Sequence, residues 1–307
     1  MSVGPAASGV PWRAGRGHCM AHHGELVQGV FPCGSGSLPA LVTVPLPGLR
    51  SRAEFHPGSR AGVRAGRGHE KARRAAQLTL RLCRDRGMAC PPGGEVSIHS
   101  EIPSGCGMGS STADVVAAIR AVEYSCGLGL SREEVSELAR RAETASDPLA
   151  YGCTPVLFAQ RHARVLRRWP GTFPPVILVG CRLPGGTVDT LGLAAREYSA
   201  GERRECAGML RDLERGVSER NAALLGRAAT RSALLNQARL PKPELPELLR
   251  ISRETGGAGV QIAHSGTVCA VVLDATRPRA AHRAREARAA LDAMGLQRTI
   301  DHVWNGA

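Results

Sequence analysis

The chain has 307 residues, enough for one large domain or two ordinary ones of ~100–200 residues each. With 43% hydrophobic and 22% charged residues it can build a packed core, which excludes a fibrous, rod-like or mostly disordered chain. The net charge of +13 invites a polyanion-binding reading, but 3% aromatic residues are too few for a base-stacking platform. Of the 40 basic residues only Lys71 and Lys242 are lysine. The arginines are scattered, apart from Arg60, Arg64 and Arg67, so coding bias and a solvated surface explain the charge better than nucleic acid does. No apolar run approaches the ~18–20 residues that span a bilayer. Met1 to Val10 is small and polar, unlike a secretory signal, which predicts a cytoplasmic protein away from membranes. No two of the ten cysteines are closer than seven residues, so no CxxC zinc knuckle exists; they read as reduced, buried apolar residues.

In chain order, residues 1–17 lack periodicity and read as a flexible leader. Short strands follow at Leu26–Phe31 and Leu41–Val44, split by Gly, Ser and Pro. His69–Arg86 is helical and stops at Pro91-Pro-Gly-Gly94. Glu95–His99 alternates as a strand. A glycine-rich turn leads into a helix over Ser111–Tyr124. Ser131 and Glu134 form a capping-box opening to a helix running to Glu143. Strands are predicted at 153–159, 164–168 and 175–181. Two helices fill 201–235, and Pro246 sits in the first turn of another. Strands at 258–263 and 267–273 flank Ser265-Gly266, and a helix over 279–294 and a strand over Thr299–Val303 finish the chain. Hairpin-like spacing points to α+β rather than a doubly wound parallel sheet.

The strongest chemical signal is Pro103, Ser104, Gly105, Cys106, Gly107, Met108, Gly109, Ser110, Ser111 and Thr112. Three alternating glycines let the backbone approach a ligand. The helix that follows opens with unpaired N–H groups and partial positive charge. Together these cradle phosphate oxygens, and the hydroxyls suit phosphate or Mg²⁺. The Walker lysine, the dinucleotide fingerprint and the protein-kinase signatures are all missing. A plain glycine turn with a Ser cap fits the same spacing.

The segment Pro103 to Ala113 resembles the second motif of the GHMP kinases, Pro-x-x-x-Gly-Leu-Gly-Ser-Ser-Ala, with Met108 in place of Leu and Thr112 in place of Ala. His23-Gly-Glu-Leu-Val-Gln-Gly29, Gly107 to Asp114, Ala263-His-Ser-Gly-Thr-Val268 and Gly185-Gly-Thr-Val-Asp-Thr190 resemble that superfamily's L-threonine kinase branch of cobalamin biosynthesis. The resemblance implies the α+β GHMP kinase fold. Its parts would be a leader at 1–17, a ribosomal-S5-like ATP-binding half at 18–170 and a ferredoxin-like half at 171–307. It further implies ATP and Mg²⁺ as cofactors. The γ-phosphoryl of ATP would pass to the hydroxyl of a small amino acid, L-threonine or a close analogue. A homoserine-like or secondary-metabolite alcohol, or an inactive fold that binds a ligand or RNA, stays open, as does a homodimer.

Carried over by position, residues 103–112 would hold the ATP phosphates, and Ser111 with Glu143 would face Mg²⁺. Asp147 would be the catalytic carboxylate. His23, Glu25 and Gln28 would line the substrate pocket. His264 and Ser265 would contact substrate carboxylate or phosphates. The chain departs from the mevalonate kinases in one respect: no lysine precedes Lys71. Arg13, Arg16 or a histidine could replace that charge, or Mg²⁺ and loop amides could act alone.

Overall fold

The computed structural model describes residues 12–185 and 197–304. Two long strands, β1 (Gly15–Cys33) and β2 (Gly36–Gly58), form an antiparallel hairpin. β3 (Gly62–Ala65), β4 (Gly93–Ser100), β5 (Val156–Ala159) and β6 (Arg164–Arg168) complete a six-stranded sheet. Its order is β3-β4-β2-β5-β6, with β1 on β2. A second sheet runs β10-β7-β9-β8, from β7 (Val176–Arg182), β8 (Gly259–Ile262), β9 (Val268–Asp274) and β10 (Gln297–Trp304). All its pairings are antiparallel. This mixed architecture matches the α+β expectation.

Three helices cover the first sheet: α1 (Glu70–Asp85), α2 (Ser110–Cys126) and α3 (Arg132–Glu143). α2 is the central one. Its Val115, Val116, Ile119 and Val122 are essentially inaccessible, and Gly127 in the left-handed region ends it. The Ser131–Glu134 capping box opens α3 with both reciprocal bonds present. α4 (Ala200–Ser218), α5 (Ala222–Asn236), α6 (Leu245–Glu254) and α7 (Ala280–Ala293) belong to the second sheet. One core lies between the hairpin, α4, α5 and the second sheet; Phe31, Val42, Met209, Leu225 and Leu178 meet there. Another packs α6 and α7 on the second sheet's other face. The β1–β2 hairpin therefore reaches helices from both parts of the chain.

Two sequence expectations need correction, and one strand was not expected. Residues 15–17 are not part of a leader: they begin β1, and α2 lies directly on them. A side chain at Gly15 or Gly17 would strike the carbonyls of Ala121 or Ala117. The arginine cluster at 60–67 contains β3, a short edge strand parallel to β4, whose glycine and arginines carry no strand signal. The expected short strands at 26–31 and 41–44 belong to strands of 19 and 23 residues. Of the Gly185 to Thr190 segment, residues 186–190 lie outside the described residues, as do 1–11 of the expected leader.

Candidate active site

The glycine loop takes its shape from three left-handed residues, Gly105 (φ 74°), Gly107 (φ 88°) and Gly109 (φ 74°). Gly109 is the N-cap of α2 and offers no side chain to the helix. The first-turn N–H groups of α2 are thus left for an external acceptor. The loop is pinned from below. The Cys106 carbonyl accepts from Thr267 N (3.0 Å) and Val268 N (2.9 Å), and the Met108 carbonyl accepts from His22 N (3.2 Å). Cys106 and Met108 turn their side chains into the core, 1% exposed each. Their side chains shape the loop from within, which leaves phosphate contact at these two positions to the backbone. The glycines also serve packing. A Cβ on Gly109 would lie 2.5 Å from the His22 ring, and one on Gly107 would lie 3.0 Å from Gly266 Cα.

At the start of α2 the hydroxyls converge on one carboxylate. Ser111 Oγ donates to Glu143 Oε2 (2.8 Å) and Thr112 Oγ1 donates to Glu143 Oε1 (2.7 Å). Lys71 Nζ donates to Ser111 Oγ (3.1 Å). Glu143 is 6% exposed. Burial pushes its pKa up to about 7; the Thr112 and Ser111 hydroxyls oppose this and the charge of Asp147 adds to it.

Asp147 sits four residues beyond Glu143, at the start of a 3₁₀ turn (Pro148–Tyr151). Its backbone N–H donates to Thr112 Oγ1 (3.3 Å). Its Oδ2 accepts from His22 Nε2 at 3.1 Å. Among the residues expected at the site, the structure therefore brings Ser111, Thr112, Glu143 and Asp147 together.

The histidine at this centre is His22 rather than His23. A β-bulge between His22 and Glu25, with Gly24 at φ 60°, breaks the strand's alternation and re-aims its side chains. His23 turns the other way. It is completely buried, and its Nδ1 donates to Gln261 Oε1 (2.7 Å). Burial, outweighing the Gln261 bond, lowers its pKa to about 4. It is a core residue in this structure, so its expected place in the substrate pocket is corrected. Glu25 is buried, and its Oε2 accepts from His264 N at 3.0 Å. Burial raises its pKa; the charge on His22 opposes that and the charge on Asp147 reinforces it.

His264 is buried and its Nε2 meets Ser232 Oγ (3.0 Å); burial first, then Lys242 and Arg239, lower its pKa to about 3. Ser232 also holds the Gln28 backbone, accepting from its N–H at 2.9 Å. The Gln28 side chain is half-buried beside it, and Ser265 is half-buried in the β8–β9 turn. Ser232, Lys71 and Lys242 are site-region residues that the sequence reading did not place. For the lysines a signal existed: they are the two exceptions in an arginine chain.

Two family models match this chain and define its class. GHMP kinases N terminal domain covers residues 70–154 and GHMP kinases C terminal covers residues 209–292. The chain belongs to the GHMP kinases. An L-threonine kinase from Salmonella typhimurium is 30% identical over 192 residues, 59% of this chain and 60% of that protein. A 4-diphosphocytidyl-2-C-methyl-D-erythritol kinase from Thermobifida fusca is 33% identical over 207 residues, 66% of this chain and 63% of that one. The matches span about three fifths of those relatives' lengths. The crystal structure of homoserine kinase from Cytophaga hutchinsonii superimposes with TM-score 0.65 at 15% identity. That match covers 99% of this chain and 100% of that one, and shows the same fold. Among the described residues no helix is long and apolar enough to cross a membrane.

Proposed function

We propose that the protein is an ATP-dependent kinase that phosphorylates the hydroxyl of a small amino acid, L-threonine or a close analogue. One observation carries the reading: Ser111, Thr112, Glu143 and Asp147 converge at the open N-terminus of α2, beside the glycine loop. The unpaired first-turn N–H groups and the helix's partial charge receive phosphate oxygens. Lys71 adds a full positive charge at Ser111.

The donor set fits Mg²⁺. Glu143 and Ser111 offer hard oxygen donors, and a bound cation would favour the ionised form of the buried Glu143, whose pKa burial pushes up to about 7. When bound, Mg²⁺ neutralises phosphate charge. Asp147 holds the acceptor hydroxyl and takes its proton on the oxygen that His22 leaves free. His22 fixes that carboxylate. Glu25 is suited to an acceptor ammonium group. The preference for threonine draws support from the two L-threonine kinases, from Salmonella typhimurium and Citrobacter freundii, that are 30% identical over 59% of this chain.

The test is a screen of hydroxy amino acids with ATP and Mg²⁺, reading ADP release and product mass. L-Threonine should give the highest kcat/KM and a product one phosphoryl group heavier. A clear preference for homoserine would overturn the acceptor assignment. ATP binding with no turnover on any acceptor would overturn the kinase reading.

A further inference from the structure

Lys242 stands where the β8–β9 turn meets the glycine loop. Its Nζ donates to the Gly266 carbonyl at 2.9 Å. Gly266 is packed against the loop so closely that a Cβ there would lie 2.6 Å from Gly107 Cα. The C-terminal turn of α5 delivers the lysine to this place. The Asn236 carbonyl accepts from Arg239 N and Leu240 N, both at 2.9 Å, and Lys242 N donates to Gln237 Oε1 at 2.8 Å. Asn236 lies one turn beyond Ser232, on the face of α5 that carries the bond to His264. It is 6% exposed, and its Nδ2 has no partner among the described residues. A buried amide donor without an acceptor is costly and calls for a ligand or water.

Two charges of opposite sign flank the β8–β9 turn: Glu25 Oε2 holds the His264 N–H at 3.0 Å, and Lys242 Nζ holds the Gly266 carbonyl two residues further on. Glu25 lies within electrostatic reach of both Asp147 and Lys242. A small β-hydroxy amino acid presents the complementary groups: a hydroxyl, an ammonium and a carboxylate on adjacent carbons. An ammonium has three donors, and the Gly266 carbonyl occupies one. Lys242 is half-buried, and burial lowers its pKa, so its charge acts in a poorly solvated place where an anion is strongly attracted. In a chain with 38 arginines, a lysine here fits a tight corner where a compact charge is needed rather than a wide planar fork.

We propose that Lys242 and Asn236 form the subsite for the α-carboxylate of the acceptor amino acid. This rests on the kinase reading above and adds the group by which amino acids are told from other small alcohols.

The experiment compares L-threonine with L-threoninol, which lacks the carboxylate, using the full chain with ATP and Mg²⁺. Variants are Lys242→Met, Lys242→Arg and Asn236→Ala, each checked for ATP affinity and melting temperature. Wild type should favour L-threonine over L-threoninol, mostly through KM. Lys242→Met should cut that preference by about 10- to 100-fold, the worth of a lost charge-assisted bond. Asn236→Ala should cut it by less, and Lys242→Arg should restore part of it. An unchanged preference in folded Lys242→Met overturns the subsite while leaving the kinase reading intact. A fall in kcat on both acceptors alike also overturns it, because that marks a role at the phosphates. A wild type that binds ATP and phosphorylates neither acceptor removes both proposals.

Discussion

His22 and Asp147 pair at the base of the glycine loop: Nε2 lies 3.1 Å from Oδ2, while Nδ1 faces the Gly24 carbonyl at 3.2 Å. A carboxylate and a carbonyl can only accept, so these two contacts favour the doubly protonated ring. Burial opposes that charge. Asp147, by attraction and hydrogen bond, together with Glu25 and the Gly24 carbonyl, outweighs it and holds the pKa above 6.5. The pair links the bulge in β1 to the carboxylate expected to meet the acceptor.

The pair makes stability depend on pH with a definite sign. A histidine whose pKa rises on folding stabilises fully below its ordinary value of 6.5. That contribution disappears as pH rises through the elevated folded value. Melting temperatures of wild type and His22→Gln should therefore converge as the solution becomes alkaline. A gap that widens instead would show that the ring is neutral in the folded protein.

Asp147→Asn keeps the size of the side chain and an oxygen that can accept from His22. If Asp147 takes the hydroxyl proton, kcat should fall by about 10²- to 10⁴-fold with ATP affinity nearly intact. Kinetics and nucleotide titration on the same preparation decide this. Near-normal turnover would leave Asp147 as a partner of the turn alone.

Glu143 should make metal binding compete with protons. Its pKa of about 7 means that a bound cation must displace a proton below that pH. The apparent Mg²⁺ affinity should rise as pH increases up to about 7 and then level off, and Glu143→Gln should flatten the dependence. The apo protein should behave oppositely. The unfolded carboxyl ionises near 4.5 and the folded one near 7, so stability falls as pH rises between them. Thermal melts with and without Mg²⁺ and ATP across that window separate the two effects.

Gly109→Ala should damage more than phosphate binding. The added methyl lies 2.5 Å from the His22 ring, in a left-handed backbone region that alanine avoids. A loss of about 1–3 kcal/mol is expected even without nucleotide. Combining it with His22→Ala should recover the steric part, so the double variant should be more stable than the sum of the single losses predicts. Strict additivity would mean that the ring is not what the methyl strikes.

Lys71→Met should weaken ATP binding rather than the fold, since the side chain is exposed and its bond goes to Ser111. KM for ATP should rise by about 10-fold, and more at low salt than at high salt. An unchanged KM at low salt would place the phosphates away from this lysine.

Local patterns made much of the protein legible from its residues. α2 follows from an alanine- and valine-rich run after a glycine N-cap, and α3 from Ser131 with Glu134 three residues on. The glycine loop is readable because left-handed turns at 105, 107 and 109 need glycine whatever surrounds them. These are contacts between near neighbours, encoded within a few residues. The choice of His22 over His23 was not local. Strand alternation says only that the two point apart; the bulge at Gly24 and the packing of Gln261 decide which one meets Asp147, 125 residues away. β3 likewise exists only because β4 offers an edge to pair with. Lys71 and Lys242 stand far apart in sequence, and only the packing of α1 on α2 and of the β8–β9 turn on the loop brings one to Ser111 and the other to Gly266 beside the glycine loop. Side-chain periodicity reports which face of an element is buried, and says nothing about which distant element buries it.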